Sequence, residues 1–394
     1  MGFEVSSRTV PASEANSTPL WSLYRDEFPV TERYVYLNHA AVAPLSRRAS
    51  GAMTRLSEDC LLHGSYHYDE WLAAYERFRH AAAALIHASA GEIAITKNTS
   101  EGIATVALGM RWNAGDKVVA FLEEFPANLY PWKRLEATGV HVEWLSIYDS
   151  LDHIDEACRG ARLLAISYVN YLTGHRVDLR RIGEICHRRG VFFFLDAIQG
   201  LGAFPFSVDE CHIDALSADG HKWLLGPEGC GLLYVRRDRL DEIEPVEFGW
   251  TNVAKYADYA SRDMTLRADA GRYECGTLNT IGCFGLAAAM ELLVEIGVDR
   301  IGEAVHSLAG RIAEGVEARG YRIAVERTPA TGSGIVSFQK PDAEGTPYDA
   351  RVIVSQLKKK GILAAPRQGW VRVSPHFYIS PDDIDRTLAE LPSV

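Results

Sequence analysis

The sequence lacks the features that mark several classes of protein. It has no apolar run long enough to span a membrane and no apolar signal core at its N-terminus. Its formal net charge is −11, so it lacks the positive field typical of proteins that bind nucleic acids or anionic membranes. We therefore expect a cytoplasmic protein that binds neither nucleic acid nor membrane.

The sequence also lacks the cysteine motifs of metal sites and the glycine-rich motifs of nucleotide-binding loops. The seven cysteines are scattered and form no CxxC pair, which is typical of reduced thiols and predicts no metal site. No GxGxxG motif follows the first predicted strand, and no GxxxxGK[ST] loop is present. An enzyme that binds a nucleotide through such a loop is therefore disfavoured.

What the sequence does contain is a regular alternation of strand and helix patterns after a polar arm over residues 1–30. Apolar runs of strand length occur at 92–96, 116–122, 140–147, 162–169, 191–197, 213–218 and 231–236. Helical patterns lie between several of them, for example over 100–112 and 179–190. The alternation predicts an α/β domain over 31–280 with a mostly parallel sheet, which binds ligands at its strand carboxyl ends.

The C-terminal part of the chain has a different pattern. Two helical patterns, one strand, a further helix and a final strand follow one another, at 284–297, 307–320, 334–340, 349–361 and 370–375. This order predicts a smaller α+β domain over 281–394.

The most informative segments are VFFFLDAIQGLG (191–202) and SADGHKWLLGPEGCG (217–231). Asp196 ends an apolar strand and Gln199 follows it, while Lys222 lies beside a tryptophan and a Gly-Pro turn. Alone, a strand-end acid suggests a helix cap and a lysine suggests the surface. Together they suit a pyridoxal phosphate site, where the lysine holds the aldehyde as a Schiff base and the acid keeps the pyridine nitrogen protonated.

Two further segments offer cofactor contacts. Thr99 and Ser100 stand at the start of a helix directly after a strand, which is a site for an anion such as phosphate. Ordinary helix capping explains the same pattern. Phe125 lies on a loop after a strand, where its ring would stack on a flat cofactor or pack in the core.

Three polar residues complete the set. Asn170 follows a strand end and is a candidate contact for a cofactor oxygen or a substrate carboxylate. His221 is a candidate ring or phosphate contact, or a structural histidine. Arg372 suits bidentate carboxylate binding, with a surface ion pair as the alternative. The order of all these segments along the chain favours the cofactor site.

With these residues in place, the chain resembles the class V aminotransferase family, whose members are fold type I pyridoxal-phosphate enzymes. The family includes cysteine desulfurases, kynureninases and isopenicillin N epimerase-like proteins. The resemblance spans residues 34–380, from YVYLNHAAVAPLS to VRVSPHFYIS, and is most specific from Asp196 to Gly231. It implies a large domain with a seven-stranded, mostly parallel sheet and a small C-terminal α+β domain.

The resemblance also implies roles for individual residues. Lys222 is the Schiff-base lysine, Asp196 the partner of the pyridinium, and Gln199 the donor to the ring hydroxyl. Phe125 takes the place of the residue that stacks on the ring. The remaining implied contacts are Thr99, Ser100 and His221 for the phosphate, Thr277 for the phosphate of a partner subunit, and Arg372, Asn38 and His39 for the substrate. A phosphate contact from the partner implies a homodimer with shared active sites.

Three departures from the cysteine desulfurase pattern stand out. No cysteine follows Cys283, so the C-terminal part has no nucleophilic thiol. Desulfurases have a histidine where this chain has Phe125, and a phenyl ring cannot transfer a proton. Asp219 stands three residues before the lysine, where serine or asparagine is common. We expect its carboxylate to point away from a phosphate, and Ser217 stays open as a phosphate contact.

The sequence therefore predicts a pyridoxal-phosphate enzyme that acts at Cα of an amino acid. Aminotransfer and β-elimination of a C–S type are both open. Epimerisation or racemisation is an alternative, disfavoured because it needs a proton donor on the face that Phe125 covers. A non-catalytic homologue that binds the cofactor is a remote alternative. The sequence does not specify the substrate.

Overall fold

The computed structural model describes residues 18–341 and 348–392, so most of the predicted N-terminal arm lies outside the described residues. The strands in these ranges are β1 Val35–Tyr36, β2 Ile93–Thr96, β3 Lys117–Phe121, β4 His141–Leu145, β5 Leu163–Ser167, β6 Phe192–Asp196, β7 Ala215–Asp219, β8 Gly231–Val235, β9 Arg322–Ile323, β10 Val336–Gln339, β11 Ile362–Leu363, β12 Ala365–Arg367 and β13 Trp370–Val373. The α-helices are α1 Leu20–Tyr24, α2 Arg47–His63, α3 Tyr68–Ile86, α4 Thr99–Gly109, α5 Tyr130–Leu135, α6 Leu151–Ala157, α7 Leu179–Arg189, α8 Thr280–Ile296, α9 Val298–Glu317, α10 Ala350–Lys359 and α11 Pro381–Ala389.

A seven-stranded sheet forms the centre of the molecule, in the order β2-β8-β7-β6-β5-β3-β4. All neighbours are parallel except β8, which runs antiparallel to both β2 and β7. Every residue of β5, β6, β7 and β8 is buried, because helices cover both faces of the sheet. The predicted α/β class and all seven strands are confirmed.

A second sheet, of four antiparallel strands, has the order β12-β13-β10-β9. Alternation along its strands gives it an apolar face, with Val371, Val373 and Phe338 in the core, and a polar face that carries Arg372. Gln368 and Gly369 close the β12–β13 hairpin, with φ angles of 47° and 84°. Two adjacent left-handed residues are typical of a tight two-residue turn. The domain limits at 30 and 280 stay a prediction.

The sequence analysis did not identify α2 and α3, which pack against the mostly buried α8. Near the N-terminus, β1 pairs in parallel with β11, and Asn38 bridges to Ser374 just beyond it. The N-terminal segment is thereby joined to the C-terminal part of the chain.

The described ranges contain no single helix that is both long and apolar enough to cross a membrane. The pair α8 and α9 passes the test of length and composition only when taken together, and it is bent by 85°.

Candidate active site

The carboxyl end of the central sheet brings the predicted acid and lysine together. Asp196 ends β6 and lies in register with Ser167 of β5 and Ser217 of β7. Its Oδ1 accepts a hydrogen bond from the amide of Ile198 at 3.0 Å. Burial raises the pKa of Asp196 to about 6, although the amide and the charge of Lys222 lower it. The side chain is thus a buried acid close to a cation.

Lys222 lies on the loop between β7 and β8. The amide of Gly226 donates to the carbonyl of Gly220 at 2.9 Å, and Leu225 has a positive φ of 59°. A leucine in this region is strained, and such strain clusters at functional sites. Burial lowers the pKa of Lys222 to about 8, against the opposing effect of Asp196. A sizeable share of this amine is therefore neutral and nucleophilic near pH 8.

Phe125 faces the lysine from the loop after β3. Its ring centroid lies 5.8 Å from Nζ of Lys222. The ring is 48% exposed and contacts Tyr171 edge to face, with 5.3 Å between centroids. The structure thus brings an accessible aromatic face close to the amine.

Gln199 is held between two segments of the site. Its Nε2 donates to the carbonyl of Ala40 at 3.0 Å, and its Oε1 accepts from Nε1 of Trp223 at 2.9 Å. One hydrogen of Nε2 is not used in these two bonds. Trp223 follows the lysine directly, so Gln199 connects the lysine loop to the N-terminal segment.

The start of α4 carries Thr99 and Ser100, the two residues predicted to contact a phosphate. The side chain of Asn98 caps the helix by accepting from the amide of Glu101 at 3.0 Å. Thr99 is buried, and its Oγ1 has no hydrogen-bond partner among the described residues. Ser100 is exposed. Since capping is done by Asn98, the hydroxyls of Thr99 and Ser100 are not needed for it.

Ser217 serves the packing of α4 on the sheet. Its hydroxyl lies 3.2 Å from the carbonyls of Thr99 and Leu232, to which it donates. A Cβ at Gly102 would lie 2.2 Å from this oxygen, so glycine permits the close approach. The hydroxyl is therefore engaged with the backbone.

Asp219 and His221 flank the lysine loop. The buried Asp219 places its Oδ2 3.1 Å from Nδ1 of His221. Its Oδ1 lacks a hydrogen-bond partner in the part of the chain that the structure describes. The carboxylate of Asp219 therefore faces His221 on the lysine loop.

Thr277 lies on the surface of the molecule. It is exposed and lines a groove of about 120 Å³ with Lys97 and Glu247. Lys222 is not among the residues lining this groove. Its exposure leaves Thr277 accessible to a second copy of the chain.

Arg372 approaches the site from the second sheet. It is 2% exposed and donates from Nη1 to the carbonyl of Tyr171 at 2.6 Å. Its Nε has no hydrogen-bond partner and its guanidinium no ion-pair partner among residues 18–341 and 348–392. Burial lowers its pKa to about 9, and the charge of Arg367 adds to the effect. A buried cation without a counter-ion is suited to an anionic ligand.

Asn38 and His39 differ in what they offer a ligand. Asn38 has a buried Oδ1 that lacks a partner in the described structure. His39 is fully buried, with Nδ1 2.7 Å from the carbonyl of Ser374 and Nε2 2.5 Å from the hydroxyl of Tyr378. Burial lowers the pKa of His39 to about 4. Both ring nitrogens of His39 make contacts within the protein, so this geometry favours a structural role.

Asn170 holds its own turn together. Its Nδ2 donates to the carbonyl of Glu123 at 2.8 Å. Its Oδ1 accepts from the amides of Leu172 and Thr173 and from the Thr173 hydroxyl. Only one Nδ2 hydrogen is left for a cofactor or substrate.

Glu124 was missed in the sequence analysis. Its carboxylate accepts from the amide of Ser167 at 2.6 Å and from the Ser167 hydroxyl. Burial, together with the nearby charge of Asp196, raises its pKa to about 8, although the hydrogen bonds from Ser167 lower it. Glu124 thus joins the Phe125 loop to the end of β5. The available signal was a pair of acids directly after an apolar strand, which forces one acid toward the interior.

Comparisons with known proteins identify the family of the chain. The family model for class V aminotransferases matches residues 35–386. A probable cysteine desulfurase of Pyrococcus abyssi (strain GE5 / Orsay) is 30% identical over 388 residues, covering 93% of this chain and 96% of the relative. The apo structure of a cysteine desulfurase from Thermococcus onnurineus NA1 has a TM-score of 0.85 at 28% identity, covering 93% of this chain and 96% of that one.

The cysteine desulfurase CsdA of Escherichia coli has a TM-score of 0.82 at 27% identity, covering 94% of this chain and 97% of that one. These structures share the fold type I architecture that the resemblance implies. The chain therefore belongs to the class V aminotransferase family and is a pyridoxal-phosphate-dependent enzyme that acts on an amino acid.

Proposed function

We propose that the chain is a β-eliminating lyase that cleaves a C–S bond in a cysteine-derived amino acid. The observation that carries this proposal is the buried Arg372, which has no acidic partner in the described ranges. Burial lowers the pKa of Lys222, and the charge of Arg372 adds to this effect. This supports a role for Arg372 as the cation that binds the carboxylate and for Lys222 as the amine that serves as nucleophile and base.

The residues present fit the cofactor. The unpartnered hydroxyl of Thr99 and the accessible Ser100 suit its phosphate, with His221 as a further contact. Asp196 would hold the protonated pyridine nitrogen, and the spare hydrogen of Gln199 Nε2 would meet the ring hydroxyl. Lys222 would carry the covalent link, and Asn170 retains one hydrogen for a ligand oxygen. When bound, the cofactor accepts the electron pair released at substrate Cα.

The reaction depends on how the chain's own groups are placed. Arg372 binds the α-carboxylate and so fixes which bond of Cα faces Lys222. Lys222 Nζ then removes the Cα proton, since Phe125 carries no proton to exchange. The low dielectric around Lys222 supports a neutral amine for this step.

We propose elimination, and not transfer of sulfur to a protein thiol, for two reasons: the names of the relatives and the differences between this chain and cysteine desulfurases. Relatives named as cysteine desulfurases support a sulfur-containing substrate. No cysteine follows Cys283, and the tight turn at Gln368 and Gly369 closes the hairpin. We therefore propose that the sulfur departs with the leaving group and is not transferred to a protein thiol.

The proposal includes a homodimer in which Thr277 of each subunit contacts the phosphate held by the other. Support comes from the exposure of Thr277 and from its place in a groove that Lys222 does not line. A cytoplasmic location stays a prediction from the sequence.

The test supplies holoenzyme with single amino acids or cysteine conjugates, without any keto acid. Visible absorbance, pyruvate and ammonia are followed together. Repeated formation of pyruvate and ammonia, with recovery of the absorbance, is the expected result. A single loss of absorbance with one equivalent of keto acid would instead identify an aminotransferase. Lys255→Ala, on a surface lysine paired with Asp263, is the matched control for Lys222→Ala.

A further inference from the structure

We infer that Arg367 forms a second anion subsite, so that the preferred substrate carries a carboxylate at the far end of its side chain as well as at Cα. The inference rests on the proposed function and adds the substrate class to it. The leaving group of the elimination would then be the part that carries the second carboxylate.

The hairpin geometry places the two arginines together. Ala365 pairs with Arg372 and Arg367 pairs with Trp370 across β12 and β13. Since side chains alternate along each strand, Arg367 and Arg372 lie on the same face as diagonal neighbours. Such neighbours stand about 7–8 Å apart, within reach of one ligand through long side chains.

The charge of Arg367 is uncompensated at close range. Its Nη1 donates to the carbonyl of the adjacent Pro366 at 2.9 Å. No aspartate or glutamate forms an ion pair with it within the described part of the chain.

Arg367 acts on the site already described. Its positive charge lowers the pKa of both Arg372 and Lys222. The charge of Arg367 therefore acts on both of the buried cations of the site. Asp196 and Asp219 offset part of the charge at Lys222, whereas the hairpin contributes cations alone. A ligand with two negative charges would relieve the repulsion between the arginines.

The tip of the hairpin is fixed in position. Gln368 Nε2 donates to the hydroxyl of Tyr171 at 2.6 Å, and the carbonyl of Tyr171 accepts from Arg372. The Tyr171 ring in turn contacts Phe125. Arg367, next to this tip, is thereby placed beside the pocket before any ligand binds. Prepositioned groups bind at a lower entropic cost.

The test measures equilibrium binding, so it does not depend on turnover. Succinate, glutarate and adipate are titrated into holoenzyme by calorimetry and compared with butyrate, valerate and hexanoate. The best dicarboxylate is expected to bind roughly 10- to 100-fold more tightly than its monocarboxylate counterpart, as for one charge-assisted contact. Arg367→Gln should remove this preference and leave monocarboxylate binding unchanged, whereas Arg367→Lys should retain part of it.

Arg322→Gln is the matched control, because Arg322 is exposed at the β9 edge of the same sheet face. It should leave the preference unchanged. Equal affinity for both series, or an Arg367→Gln effect equal on both, would overturn the inference. The visible absorbance of each variant reports whether it is folded and loaded. If the enzyme prefers dicarboxylates but releases no pyruvate, the proposed reaction is rejected and the anion subsite at Arg367 is retained.

Discussion

The two sides of the site are built differently. The sheet side supplies Asp196, the Lys222 loop and the start of α4 from buried strands and their ends. The hairpin side supplies Arg372 and Arg367 from short strands joined by a two-residue turn. The first side holds an acid and a base with opposite charges. The second holds two cations for which the described residues provide no ion pair.

This contrast indicates that the two sides have different tasks. The sheet side carries out the reaction, and the hairpin side selects the substrate. The sheet side lies within the residues that the family model matches, and its acid and its amine carry opposite charges. The hairpin side differs from that of cysteine desulfurases because it has no cysteine. The charges of its two arginines would be neutralised only by an anionic ligand. Changes on the sheet side should therefore abolish the reaction, and changes on the hairpin side should alter substrate binding.

The largest effect is expected from Lys222→Ala. Lys222 is the amine that lies beside Phe125, and among the described residues no other amine is shown there to replace it. Turnover should therefore fall by at least about 10³-fold. Initial rates of pyruvate release would measure it. Near-normal rates in this variant, with Lys255→Ala as the control, would refute the assignment of the sheet side.

Arg372→Ala should act mainly on binding. Loss of the charge-assisted contact to the α-carboxylate is expected to raise KM by about 10- to 150-fold, equivalent to roughly 1.5–3 kcal/mol. Steady-state kinetics would separate KM from kcat. An unchanged KM would mean that the α-carboxylate binds elsewhere and that the hairpin does not select the substrate.

Glu124 provides a pH test of the sheet side. Its folded-state pKa of about 8 lies above the value of an unfolded glutamate, so the folded state holds a proton that the unfolded state releases. Its contribution to stability is full at acidic pH and is lost as pH rises toward 8. Between pH 6 and 8 the loss is about 2 kcal/mol.

Glu124→Gln should therefore flatten the fall of the free energy of unfolding of the cofactor-free protein over this range. Denaturant titrations at several pH values would show it. Glu156→Gln, on an exposed glutamate paired with Arg159, should leave the wild-type slope intact. Parallel slopes for wild type and Glu124→Gln would show that Glu124 is not the group responsible.

The smallest effect is expected from Thr99→Val. Loss of one hydroxyl contact to the phosphate should weaken cofactor binding by about 2- to 10-fold. Equilibrium dialysis of the reconstituted protein would measure the change in Kd. Thr105→Val, whose hydroxyl donates within α4 to the carbonyl of Glu101, should not change it.

Sequence patterns predicted the sheet side well because local signals specify it. Apolar runs identify each strand, and the end of such a run fixes Asp196 at the carboxyl edge. The burial of Arg372 was not available from the sequence, since it depends on how β13 pairs with β10 and β12. The same holds for Glu124 and Arg367, whose roles arise from contacts across the fold.

His39 illustrates the limit most clearly. From its position in YLNHAA, the resemblance to the family implied a place at the edge of the substrate pocket. Its actual partners, Ser374 and Tyr378, lie more than 330 residues away in the chain. Only the pairing of the N-terminal segment with the C-terminal part of the chain reveals that both ring nitrogens are engaged.

The most direct test of the central claim is to locate the residue that carries the cofactor. Holoenzyme is reduced with borohydride and digested, and the peptides are mapped by mass spectrometry. The account predicts a pyridoxyl group on Lys222, within the segment 217–231. A pyridoxyl group on another lysine, or on none, would contradict it.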